Sequence, residues 1–135
     1  MRNNDDLAAL GDAYLQASKL DDALRCSEEA LQLSRAHELR GLEAEVLRIL
    51  ADTRSLQGSE QAHVVDSLYH EAIKIAEPRG MRPLVAQCCF GRGILCRRTD
   101  QRQKSRDYLA HAATLYRAMD MPFWADKAEL EMREK

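Results

Sequence analysis

LAALGDAYLQASKLDDALRCSEEAL, Leu7 to Leu31, decides the fold class. Leu7, Leu10, Gly11 and Tyr14 share one helical face at offsets of three and four. A polar turn follows at Ser18 to Asp21, and then Ala23, Ser27 and Ala30 place small side chains at helical spacing. Apolar residues in this register mark a buried stripe. Small residues on that stripe let two backbones approach closely. The stretch therefore predicts a tightly packed antiparallel helix pair.

The pattern returns twice. Leu47, Leu50 and Ala51 stand where Leu7, Leu10 and Gly11 stood, and Val65, Tyr69 and Ala72 take the places of Ala23, Ser27 and Ala30. In GRGILCRRTDQRQKSRDYLAHAATLY, Cys89, Gly93 and Cys96 open a third copy that Ser105, Leu109 and Ala112 complete. Gly11, Ala51 and Gly93 are 40 and 42 residues apart, and Ala30, Ala72 and Ala112 are 42 and 40 apart. A period of this length signals helix pairs that bury their apolar faces by stacking. The spacing predicts helices near 5–17, 21–37, 40–56, 60–77, 82–97 and 101–118, and a last helix about 122–133.

Punctuation supports these limits. Ser18 or Asp21 is expected to cap the second helix and Ser59 the fourth. EPRGMRP, Glu77 to Pro83, is a break: Pro78 resists continuation, Gly80 suits a positive φ, and Pro83 suits a first helical turn. Phe123 and Trp124 are the expected anchors of the last helix.

The chain resembles tetratricopeptide repeats. Leu7, Leu10, Gly11, Tyr14, Ala23 and Ala30 follow that family's order of large, small and aromatic positions, with Ser27 departing from an aromatic. Arg54, Arg92 and Cys96 depart in the later copies, while Tyr69, Gly93 and Ala112 hold. The resemblance covers about residues 4–118. It implies an all-α, tetratricopeptide-like solenoid of three antiparallel helix pairs plus a C-terminal helix, in one domain with repeats about 4–38, 41–79 and 82–118. EPRGMRPLVAQC and the stretch through YRAMDM look like the C-terminal repeat segments of large bacterial signalling proteins with an ATPase-like or nucleotide-cyclase region. That implies either an excised C-terminal segment or a free-standing relative.

Composition bounds the function classes. The 135 residues suffice for one sizeable core, and 45% hydrophobic with 31% charged residues is ordinary for a globular chain. Aromatics are only 5%, so Ala and Leu are expected to fill the core. A formal net charge of −2 disfavours general nucleic-acid binding. No apolar run is long enough to span a membrane, and MRNNDDLAAL lacks the apolar region of a signal peptide. Cys26, Cys88, Cys89 and Cys96 form no CxxC pair; they read as small buried apolar residues, which fits a cytoplasmic setting.

Chemistry-bearing motifs are sparse. Gly91-Arg92-Gly93 begins a dinucleotide-like fingerprint, but Cys96 stands where a third glycine is needed, and the stretch falls within a predicted helix. Gly93 reads instead as a close-packing position. His63 and His70 lie seven apart without further ligands, and His111 reads as partly buried. No serine has a local histidine and acid. No catalytic residue, metal ligand or cofactor is expected. The first pair is acidic, and Arg92, Arg97, Arg98, Arg102, Lys104 and Arg106 make a later basic segment.

The expected function is a non-catalytic protein–protein interaction or scaffold module. Its first helices would line a concave surface for a peptide, a protein partner or a neighbouring domain. Asp12, Gln16, Arg48, Asp52, Gln87 and Arg97 are the expected groove-facing residues, and their polarity favours a charged or polar segment. Two alternatives stay open: a structural module that forms a homodimer through Met119, Met121, Phe123 and Trp124, and an enzyme with an inter-repeat site.

Overall fold

Seven α-helices account for most of residues 4–58 and 62–133, which this computed structural model describes. They are α1 (Asn4–Gln16), α2 (Leu20–Ala36), α3 (Arg40–Gln57), α4 (Ala62–Ala76), α5 (Arg82–Arg98), α6 (Arg102–Ala118) and α7 (Pro122–Arg133). A 3₁₀ turn, Glu77–Arg79, follows α4, and no strand occurs among the described residues.

One turn geometry is used five times. Ser18, Glu38, Gly80, Asp100 and Asp120 each have φ between 56° and 68°. The next residue donates its N–H five residues back: Lys19 to Tyr14, Leu39 to Ser34, Met81 to Ala76, Gln101 to Cys96, and Met121 to Tyr116. The positive-φ residue donates three residues back. This paired pattern closes the orphan carbonyls of a helix end through backbone alone. The following helix then opens on the same residue, as when Lys19 accepts from Ala23 and Gln101 from Ser105.

These turns correct the expected caps. Lys19, not Ser18 or Asp21, is the N-cap of α2, and no side chain caps it. Ser18 is the left-handed residue that ends α1, and Asp21 lies in the first turn of α2, where its charge suits the helix dipole. Gly80 and Pro83 behave as the sequence indicates. The expected cap at Ser59 lies outside the described residues. Ser18 to Glu38, Gly80 to Asp100, and Asp100 to Asp120 are each 20 residues apart, whereas Glu38 to Gly80 is 42. The two extra residues fall between the starts of α3 at Arg40 and α4 at Ala62, 22 residues apart where the other successive starts from α2 onward are 20 apart, and Gly58 ends α3 at φ 154°. This explains why the repeat alternates between 40 and 42.

The left-handed region strains any residue with a Cβ, and Glu38 has no short polar side chain to ease it. Glu38→Gly should therefore raise the unfolding free energy by about 0.5–1 kcal/mol in urea melts, after the entropy of the added glycine is counted.

Each helix packs against its neighbour in sequence, and α1, α3 and α5 also touch in order. The even-numbered helices make no comparable contacts with one another among the described residues. The odd helices thus form the inner layer of a solenoid-like stack. The small-residue positions set its spacing. A Cβ added at Gly11 would lie 3.1 Å from Ser27 Oγ, and one at Gly93 only 2.6 Å from Leu109 Cγ. Both contacts join the same two repeat positions. Ser105 also donates to the Gly93 carbonyl at 2.7 Å.

The main core runs through α3 to α7 around Leu47, Tyr69, Ala72, Leu84, Cys88, Ala112 and Tyr116. Leu7, Ala8, Ala30 and Val46 join the first pair to α3, as do Leu15, Ala23 and Ile49. All four cysteines are buried and free. Glu43, only 2% exposed, sits between Arg35 at 3.1 Å and Arg40 at 2.9 Å, and Arg35 reaches on to Glu71. A buried carboxylate needs such partners, and here they tie α2, α3 and α4 together.

The end of the stack differs from expectation. Ala125 and Ala128, both 0% exposed, seat α7 on α6. Trp124 stacks on Tyr116 at 6.2 Å but stays 42% exposed, and Phe123 is 69% exposed with its edge against Trp124. His111 is exposed rather than partly buried, because it falls on the outer face of α6.

Candidate functional site

A cleft of about 390 Å³ opens over the odd helices. α1 contributes Leu15 and Gln16; α3 contributes Arg48, Asp52, Ser55 and Leu56; α5 contributes Gln87, Phe90, Gly91, Ile94 and Arg98. Tyr69, Tyr116 and Trp124 reach in from α4, α6 and α7.

Its floor is a hydrogen-bonded polar cluster. Arg48 and Asp52 are one turn apart on α3 and meet at 3.0 Å. Asp52 also accepts a hydrogen bond from the Tyr69 hydroxyl. Asp12, from α1, stands 3.7 Å from Arg48. Arg48 Nε and Asp12 Oδ1 are buried without hydrogen-bond partners. Tyr69 reaches Asp52 because α5 presents Gly91 to its ring: a Cβ there would lie 2.4 Å from Tyr69 Cζ.

The electrostatics follow from burial. Burial pushes the Asp52 carboxyl up, and the Arg48 guanidinium pulls it only part of the way back. Burial also opposes the Arg48 charge, but Asp52 outweighs that and raises it. Burial, then the Asp52 charge, holds the Tyr69 phenol well above its ordinary value, so it remains a donor. Burial likewise lifts Tyr116 to about 12 and Cys89 to about 11.

The Asp52 shift has a pH consequence. Folded Asp52 holds its proton more tightly than unfolded Asp52. Its contribution to stability should therefore fall as pH rises through the window from the ordinary carboxylate range, about 4, to its raised folded value. Urea melts across that window should show wild type losing stability relative to Asp52→Asn as pH rises.

The cleft has an apolar side with two cations beside it. Leu56 is 54% exposed, and Ile94, Phe90 and Trp124 continue the wall. Lys127 lies 5.2 Å over the Trp124 ring and 5.9 Å over Phe90, and Arg98 donates to the Ser55 carbonyl and hydroxyl.

Four of the six expected groove residues line this cleft: Gln16, Arg48, Asp52 and Gln87. Asp12 joins them through Arg48. Arg97 does not line it, because it turns to α7 and donates to Glu131 Oε2 at 2.6 Å and to the Glu131 carbonyl. Arg92 is also committed elsewhere, paired with Asp66 at 2.9 Å and lying 4.5 Å over the Tyr108 ring. The aromatic residues Tyr69, Phe90, Tyr116 and Trp124 were not expected in the groove. Tyr69 carried one signal, a large residue at a repeat position opposite the small Gly91.

Among the described residues no three His, Cys, Asp or Glu side chains converge as a metal-binding set. Among them also, no helix is long and apolar enough to cross a membrane. The chain matches no family model, and a search of curated proteins finds no relative for it.

Proposed function

We propose that the chain is a tetratricopeptide-type module that binds a peptide segment of a protein partner in the groove over α1, α3 and α5, in the cytoplasm. The observation that carries this is the cleft itself: equivalent helices from three successive pairs converge on one open channel with a polar floor and an apolar wall. Extended concave surfaces of helical repeats suit peptide segments, and the step from repeat architecture to binding is one of analogy. Selection from a random displayed-peptide library against the purified chain tests it. Selected peptides should lose binding to Gln87→Trp, which fills the groove, and keep it with His70→Trp on the exposed side of α4. Peptides indifferent to Gln87→Trp would contradict the proposal.

Self-association through α7 is a second reading. Phe123 and Leu130, 69% and 56% exposed, lie seven residues apart on one helical face. Sedimentation over a concentration series should then show a dimer that Phe123→Glu with Leu130→Glu converts to a folded monomer. A wild-type monomer at every concentration would remove this reading.

A further inference from the structure

We infer that the groove selects an internal, uncharged peptide segment anchored by one large apolar side chain, a deepening that rests on the peptide-groove proposal. The polarity of the expected groove residues favours a charged or polar segment. Their pairing points elsewhere. The Arg48 charge is spent on Asp52 and Asp12, and the Tyr69 donor is spent on Asp52. Arg98 is engaged with Ser55, and Lys127 lies over aromatic faces. An incoming lysine or arginine would meet Arg48, Arg98 and Lys127, and the Asp52 carboxylate beside them is already paired with Arg48 and Tyr69. An incoming carboxylate would lose water above Asp52 and an apolar wall. Either is costly to desolvate without a dedicated partner.

Arg48 Nε and Asp12 Oδ1 lack hydrogen-bond partners but are closed off from solvent, which leaves two accessible groups. The side-chain amides of Gln16 and Gln87 line the groove from α1 and α5, both are exposed, and neither makes a hydrogen bond among the described residues. A carboxamide offers donors and an acceptor, the complement of a peptide unit. Leu56, Ile94, Phe90 and Trp124 supply the apolar seat beside them, with Leu56 and Trp124 largely open to solvent. A volume of about 390 Å³ suits one side chain and its flanking peptide units rather than a long helix.

The test uses the single tryptophan, Trp124, as reporter in the wall of the site. Capped amino-acid amides serve as probes: the N-acetyl amides of leucine, phenylalanine, lysine and glutamate. The leucine and phenylalanine amides should change Trp124 emission saturably, and the lysine and glutamate amides should not. Leu56→Ala and Gln87→Ala, both at exposed positions, should each weaken the leucine probe about fivefold, the equivalent of about 1 kcal/mol. A charged probe that binds as tightly as the leucine probe, unchanged affinity in both variants, or no saturable response would overturn the inference. Library peptides that occupy the groove through a charged anchor would overturn it while the peptide-groove proposal stands. Peptides that bind nowhere in the groove would remove both.

Discussion

Arg48→Ala should lower the unfolding free energy by about 3 kcal/mol at neutral pH, measured by urea denaturation with an unchanged m-value. Arg48 is only 13% exposed and bridges Asp52, at 3.0 Å, and Asp12, at 3.7 Å. Its removal leaves a carboxylate pair at the groove floor with no counter-charge. Breaking a buried pair on one side costs about 3–5 kcal/mol, and the 30% exposure of the Asp52 side chain places this one at the low end. Adding Asp52→Asn to Arg48→Ala should recover part of the loss, since the stranded charge is the larger share of it. Arg48→Met, which keeps most of the volume, should lose nearly as much as Arg48→Ala. If Arg48→Ala costs less than about 1 kcal/mol, the range of an exposed ion pair, the floor is not the coupled unit described here.

Gly93→Leu should cost about 3 kcal/mol, the upper range for overpacking. The first added carbon would already lie 2.6 Å from Leu109 Cγ and 3.3 Å from the Ser105 carbonyl. Leu109 has somewhere to move only if α6 shifts, and the Ser105 carbonyl is backbone. Shortening the neighbour should relieve the strain, so Gly93→Leu with Leu109→Ala should be more stable than the sum of the two single changes. Gly41 is the control. A Cβ there meets nothing nearer than the Met81 sulfur at 3.9 Å, and Gly41→Ala should stabilise α3 by about 0.5–1 kcal/mol. Equal effects at Gly41 and Gly93 would mean that the α5–α6 spacing is not set by residue size.

The sequence carried the helix pairs because small residues at a fixed period are a direct record of close approach. Gly11 faces Ser27 and Gly93 faces Leu109, two copies of one contact. Helix ends were less legible. Four of the five recurring turns place serine, glutamate or aspartate in the left-handed region where glycine is the usual marker, and the closing bonds are all backbone. Ser18 and Asp21 have the side chains of caps, but at the start of α2 no side chain performs that task. The last helix misled for another reason: bulky Phe123 and Trp124 looked like anchors, but the alanines between them and Glu129 allow the closer packing.

In the site, the face of each first helix could be counted along the chain, which is why Gln16, Arg48, Asp52 and Gln87 come together. Arg97 shares their helix layer but not their surroundings, because its partner Glu131 comes from a helix outside the repeat count. Tyr69, Tyr116 and Trp124 enter from α4, α6 and α7, and only inter-helix packing brings them to the groove. That packing turned a row of polar residues into an internally paired floor beside an apolar wall. The expected ligand narrows from a charged or polar segment to an uncharged, apolar-anchored one because these side chains are paired with one another.

The most direct test of the groove is a map of amide chemical-shift changes on titrating a library-selected peptide into the isotope-labelled chain. The shifts should concentrate on α1, α3 and α5, at Gln16, Arg48, Asp52, Gln87, Gly91 and Ile94, with the Trp124 indole. Shifts confined to the exposed faces of α2, α4 and α6 would contradict a binding site on the inner layer.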